Sequence, residues 1–256
     1  MFIPLHDANS LKRIRLQWVT IGIIATNVLV FLLMEIEGGM TARAAIGLGY
    51  IPYYALGSSA LPPELMLVPE SLTWITYAFL HADIIHLGGN MLFLWVFGDN
   101  VEDALGHFRF LVFYLACAAA GAGFHGLVAS ASEAPLIGAS GAVAGIVSAY
   151  LVLHPRVRIW ILAFGRIPLR IPAYIALALW IGFQFLMFVG SGEETQISFA
   201  CHIGGILAGL VLVLVLRSRD VPLFDRQIVA PRAVVMDQDS AVRPVRSRPA
   251  PRWGRQ

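Results

Sequence analysis

Residues 138–153 read GASGAVAGIVSAYLVL, and from Ser140 onward this is an unbroken run of mostly apolar residues that ends before His154-Pro155-Arg156. A second apolar run, Phe199–Leu216, carries His202 within it, and a third opens with His86 and Asn90, with His81 just before. Polar and ionisable groups are costly inside such segments, so they mark a functional site. At about 1.5 Å rise per residue, Ser140–Leu153 makes a helix of roughly 21 Å, short of a hydrocarbon core of about 30 Å. If its His-Pro-Arg end lies near one surface, Ser140 is expected about 10 Å below the other, served by a water-filled cavity.

The rest of the chain agrees with a bilayer. Of its 256 residues 58% are hydrophobic and 13% charged, with a mean hydropathy of +0.73, whereas a soluble domain carries about 25% charge. Six runs approach spanning length: 18–34, 86–101, 110–128, 140–153, 172–189 and 199–216. This predicts an all-α polytopic membrane protein: a cytosolic N-terminus over 1–17, a six-helix domain over 18–217, and a basic, aperiodic, disordered tail over 218–256. With six spans, both termini and the second and fourth connections share a side. These segments hold every Lys and Arg except Arg43: Lys12, Arg13, Arg15, Arg109, Arg156, Arg158, Arg166, Arg170 and the arginines from Arg217 onward. The positive-inside rule makes them cytosolic.

Ala42-Arg43-Ala44 resembles a signal-peptidase site, but the preceding apolar region is too long and the site too distant for a usual signal. The first outward connection, 35–72, is rich in Ile, Leu, Tyr, Met and Pro and is expected in the membrane interface. Cys117 and Cys201 both fall in apolar runs, so no disulfide framework is implied, and Cys201 reads as a small packing residue.

Gly138-Ala139-Ser140-Gly141 places Ser140 in the first turn of its helix, where backbone N–H groups lack intrahelical partners and the dipole favours a developing oxyanion. Gly138 and Gly141 permit a tight turn and leave room for a substrate backbone. The plain alternative is a Ser N-cap with glycine for packing, and from the tetrapeptide alone that alternative is the better supported. Gly141 and Gly145 form a small-xxx-small pair, as do Gly205 and Gly209, and His202 shares a helix face with the latter two. Packing of these faces would bring Ser140 and His202 together as nucleophile and base. His86 and Asn90 lie four apart on one face, and both can donate a hydrogen bond to an oxyanion. Histidine is also the commonest metal ligand. The usual companions are missing, since there is no His-Glu-x-x-His, no cysteine pair and no nearby carboxylate but Asp83. Asn27 is expected to make a helix-to-helix hydrogen bond, and His107, His125 and His154 to be interfacial.

The ordered set of His81, His86 and Asn90, then Gly138-Ala139-Ser140-Gly141, then His202-Ile203-Gly204-Gly205, on separate runs, resembles the rhomboid family of intramembrane serine proteases. The likeness covers about 18–216, and Gly98-Asp99-Asn100-Val101-Glu102-Asp103, read as a turn after the second run, also resembles bacterial members. The resemblance implies a six-helix bundle with Ser140 as nucleophile and His202 as general base without a third carboxylate. It further implies an oxyanion hole from the Ser140 N–H, His86 and Asn90, with His81 in support. No metal or cofactor is implied. The implied partners are transmembrane helices of other proteins and the lipid bilayer, not nucleic acid. The implied setting is a bacterial cytoplasmic membrane, with both termini cytosolic and the site open to the outside. The fifth run and the 190–198 connection resemble the family's lateral gate and cap. Ala144 departs from the aromatic that some members carry four residues after the serine, and Cys201 stands where many have alanine, so the group orienting His202 is unassigned. A non-proteolytic binder of client helices is the main rival. A transporter is a weaker one, because no internal repeat is evident.

Overall fold

A computed structural model of the chain describes residues 2–36, 38–39, 41–57, 59–190 and 198–225. Long apolar helices dominate it: α1 (Trp18–Ile36), α5 (Ile84–Leu105), α6 (His107–Val128), α7 (Ser140–Leu153), α8 (Ala173–Gly190) and α9 (Phe199–Leu216). Short helices α2 (Ala42–Leu48), α3 (Pro52–Leu56) and α4 (Glu70–Thr76) fill the first connection. By length and composition α1, α6, α8 and α9 can each cross a membrane. A fifth span arises if Glu70–Phe79 and Ile84–Leu105, bent by 85°, count as one.

The helices differ in how they bury themselves. On α1 only Thr20, Ile23, Asn27 and Phe31 are buried, a single stripe, while Leu29, Leu32, Leu33 and Ile36 face outward. An apolar helix with one buried stripe and an apolar outer face is suited to lipid contact on that outer face. By contrast α7 is buried continuously from Gly141 to Tyr150. It is the axial helix, packed by α5, α6, α8 and α9.

A three-stranded antiparallel sheet, β1 (Phe2–Asp7), β2 (Arg158–Ala163) and β3 (Ile167–Pro172), was not expected from the sequence. The three-residue β2–β3 loop, 164–166, has Phe164 and Gly165 both at positive φ, the sign that the central residues of a type I′ turn take, and Arg166 N–H closes the turn on the Ala163 carbonyl at 3.0 Å. Pairing of β1 with β2 sets the N-terminus beside the fourth connection. Lys12 and Arg13 reach Asp225 and Asp220 at 2.9 and 2.6 Å, and Ser218 N–H donates to the Ala104 carbonyl at 3.0 Å. The basic segments assigned to one side by charge thus meet on one face of the molecule. Residues 218–225 belong to this face, with Val221 buried. Order therefore extends past the boundary expected for the tail, whose remainder, 226–256, lies outside the described residues.

Gly98–Asp103 is not a turn. The helix α5 continues through it to Leu105 and stops at Gly106, φ +83. Its Asn100, Glu102 and Asp103 bond to residues 7–20. Glu102, fully buried, accepts from Val19 N (3.0 Å), Thr20 N (2.8 Å) and Thr20 Oγ1 (2.6 Å), capping α1 at its positive end. Asp103 accepts from the backbone N–H groups of Lys12, Arg13 and Ile14. Asn27 Nδ2 donates to Ile23 O on its own helix at 2.8 Å, and its side chain also meets Tyr114 of α6.

Candidate active site

Glycine sets how closely α7 and α9 approach. A methyl added to Gly205 would lie 2.7 Å from the Gly141 carbonyl carbon, closer still to its oxygen, and one on Gly141 would lie 2.7 Å from Cys201 Sγ. Gly145 and Gly209 repeat the contact one turn on, where Ser148 Oγ donates to the Ile206 carbonyl at 3.0 Å. Backbone-to-backbone contact at this range is open only to residues without a side chain. Gly141 follows Ser140, and its two partners, Cys201 and Gly205, lie on either side of His202 in sequence. Serine and imidazole therefore flank one helix crossing. Among the described residues no hydrogen bond joins Ser140 Oγ to the His202 ring.

Ser140 is the first residue of α7 and half-buried, while Ala139 is the N-cap and offers no side-chain bond. Its hydroxyl is thus not spent on capping. Gly138 has φ +119, and the place of its missing Cβ is 2.6 Å from His86 Nε2 and 3.9 Å from Asn90 Nδ2. The absent side chain makes room for His86, and that of Gly141 makes room for the α9 contact at Cys201. His86 and Asn90 converge over the loop two residues before Ser140. Asn90 Nδ2 donates to His81 Nε2 at 3.1 Å, which also faces Ala139 N at 3.5 Å. With both N–H groups directed at it, Nε2 is the acceptor of the His81 ring. His81, almost fully buried in the bend before α5, ties Asn90 to the loop that leads into α7.

His202 is buried between α7 and α8. Its Nδ1 is 2.8 Å from Gln184 Oε1, the Trp180 ring lies over it with centroids 6.2 Å apart at 29°, and Phe199 meets it edge-on. Upstream, Ser198 caps α9 by accepting from Cys201 N, and Ser198 Oγ lies 2.9 Å from His125 Nδ1 at the end of α6.

Residues 69–219 match a family profile described as "Rhomboid domain". The chain belongs to the rhomboid family. It is 34% identical over 192 residues to Rhomboid protease GluP of Bacillus subtilis, covering 73% of this chain and 32% of that protein. It is 31% identical over 148 residues to Rhomboid protein 1, mitochondrial, of Saccharomyces cerevisiae, covering 56% and 41%. With human Rhomboid-related protein 3 it shares 28% identity over 188 residues, covering 69% and 44%. The chain thus spans about a third to under a half of the length of these relatives. As a rhomboid it is an integral multi-pass membrane protein.

Within this rhomboid, the position that is aromatic in some members is Ala144, fully buried against Ile203 and Ile206 with Trp180 packed on the cluster. The ring that lies over the imidazole here comes from α8 instead of α7. Neither Trp180 nor Gln184 was singled out by sequence reasoning. For Gln184 a signal existed, an amide alone in an apolar run, of the kind that drew notice to Asn27. His125, expected to be interfacial, is engaged with Ser198 at the end of α6. His107 likewise sits 2.5 Å from Glu102, while His154 is buried against Tyr150. Of the expected cap, 191–197 lie outside the described residues.

Proposed function

We propose that this rhomboid is a serine endopeptidase that cleaves transmembrane helices of other proteins inside the bilayer. The observation that carries this is the α7–α9 crossing, where Gly141 and Gly205 allow backbone contact and leave Ser140 and His202 on its two sides. In this reading Ser140 Oγ attacks the scissile carbonyl while His202 Nε2 takes its proton. The alkoxide that forms is met by the Ser140 N–H, His86 and Asn90. Collapse expels the amine, which receives the proton from His202, and water then releases the acyl chain by the same relay. A substrate helix must unwind first, because its carbonyls are already hydrogen-bonded, so helix-breaking residues near the cut favour cleavage.

The same reading takes α7 as a sixth, short crossing, 18–217 as the catalytic domain and 218–256 as a tail outside it. It places the basic face in the cytosol and Ser140 toward the outside. The test is labelling of purified protein by a fluorophosphonate, together with cleavage of model transmembrane substrates. Wild type should be labelled at Ser140, and Ser140→Ala and His202→Ala should lose both signals. Equal labelling of wild type and Ser140→Ala would overturn the serine mechanism. A folded protein that holds client helices without cutting them would establish the binder instead.

A further inference from the structure

The outer half of α8 is nearly free of buried side chains. Along this helix Ala173, Ala176, Leu177 and Gln184 are buried, and Gln184 stands alone in the second half among Phe183, Phe185, Leu186 and Val189, which face outward. A buried amide in an apolar helix is unfavourable unless both its ends are hydrogen-bonded. Here both are. Gln184 Nε2 donates to the Trp180 carbonyl one turn back at 3.2 Å, and Oε1 lies 2.8 Å from His202 Nδ1.

These two bonds fix more than the amide. With its NH₂ committed to a carbonyl, Gln184 presents only oxygen to the imidazole, so Nδ1 must be the donor. The flipped amide would set oxygen against the Trp180 carbonyl oxygen, two acceptors face to face. In neutral imidazole a proton on Nδ1 leaves Nε2 with its lone pair, the form a general base requires. Trp180 lies over the ring and Phe199 blocks its edge, limiting rotation. We propose that Gln184 is the positioning residue of the base, holding His202 in the Nδ1–H tautomer and in its plane, where among the described residues no carboxylate is bonded to the ring. The inference rests on the reading of His202 as base. Because Gln184 and Trp180 both stand on α8, a shift of α8 that breaks the 2.8 Å bond also frees the imidazole, so the lipid-facing helix governs the readiness of the dyad.

The test compares Gln184→Leu, which fills similar space without an acceptor, with Gln184→Glu, which keeps one. In Gln184→Leu, fluorophosphonate labelling and kcat should fall by about 10- to 100-fold, by analogy with losing a group that orients a metal-bound imidazole. KM should stay within about twofold, and Gln184→Glu should restore most of the rate. Nitrogen NMR of ¹⁵N-histidine protein, with His202→Ala for assignment, reads the tautomer without turnover. Wild type should show Nδ1 protonated, and Gln184→Leu a mixture of both forms. A wild-type Nε2–H tautomer, or unchanged tautomer and rate in Gln184→Leu, would overturn the inference. If Ser140→Ala labels like wild type, the serine mechanism fails, while the tautomer spectra still decide the role of Gln184.

Discussion

Gly205→Ala isolates the helix crossing on which the proposed dyad depends. The added methyl would lie 2.7 Å from the Gly141 carbonyl carbon, 3.2 Å from its Cα and nearer still to its oxygen, whereas ordinary contact begins at 3.4 Å. Backbone cannot rotate away as a side chain can. The nearer oxygen sets the requirement, so the helices must part by more than about 1 Å at the crossing, beyond the ~0.7 Å that the carbon alone demands. Overpacking of this kind destabilises by about 1–3 kcal/mol. A misplacement near 1 Å lowers rate roughly 100-fold, so fluorophosphonate labelling of Ser140 should slow by about 10- to 100-fold while the protein still folds. Gly141→Ala provides the contrast. Its methyl meets Cys201 Sγ at 2.7 Å, a side-chain atom, so Cys201→Ala should partly rescue Gly141→Ala and leave Gly205→Ala unrelieved. Gly22→Ala, with nothing within 4 Å of the new methyl, is the control for glycine replacement itself. Labelling and thermal stability of Gly205→Ala equal to wild type would refute the claim that this contact sets the dyad.

Two further outcomes follow from the described geometry. Asn90→Ala should lower kcat by roughly 100- to 1000-fold with little change in KM, since one oxyanion donor is lost, and unchanged turnover in folded protein would remove Asn90 from the mechanism. On the basic face, burial lifts the Asp7 carboxyl to about 6 from 3.8 and lowers the His154 imidazole to about 4 from 6.5. The folded state therefore holds the Asp7 proton more tightly and the His154 proton less tightly than the unfolded chain. Asp7 lowers stability as pH rises from 3.8 to 6, and His154 raises it from 4 to 6.5, each by about 3 kcal/mol. Relative to wild type, denaturation profiles over pH 4–6 should accordingly tilt upward with pH in Asp7→Asn and downward in His154→Gln, and parallel profiles in the two variants would refute the assignment.

What the sequence disclosed depended on how local the signal was. The limits of α7 were legible because Gly-Ala precedes Ser140 and His-Pro follows Leu153, so breakers bracket the helix. Small residues at spacing four identified the α7–α9 faces before any contact was known. The sheet was not legible, because its strands have six residues each, Pro4, Pro168 and Pro172 weaken their pattern, and β1 pairs with a segment about 150 residues away. Gly98–Asp103 looked like a turn for the same reason: its polar density is neutralised by residues 7–20, a non-local partner. Gln184 could be recognised as unusual, but that it meets His202 is a property of the fold.

In the proposed orientation, the depth of Ser140 is set at the opposite end of its helix. The last carbonyls of a helix lack intrahelical donors, and at the end of α7 those of Val152 and Leu153 accept from Phe224 and Asp225 N–H, each at 2.9 Å. Tyr150 OH, from the same turns, donates to Asp7 at 2.6 Å, and Asn100 of α5 donates to that carboxylate at 3.0 Å. Both ends of the described chain thus grip α7 on the basic face, away from the proposed chemistry. A 14-residue helix held there rises about 21 Å. In the proposed orientation its first residue then lies below the outer surface of a core about 30 Å thick. In that proposal the short helix and its anchored base together hold the serine at depth, where a bundle of full-length helices would carry it out toward the headgroups.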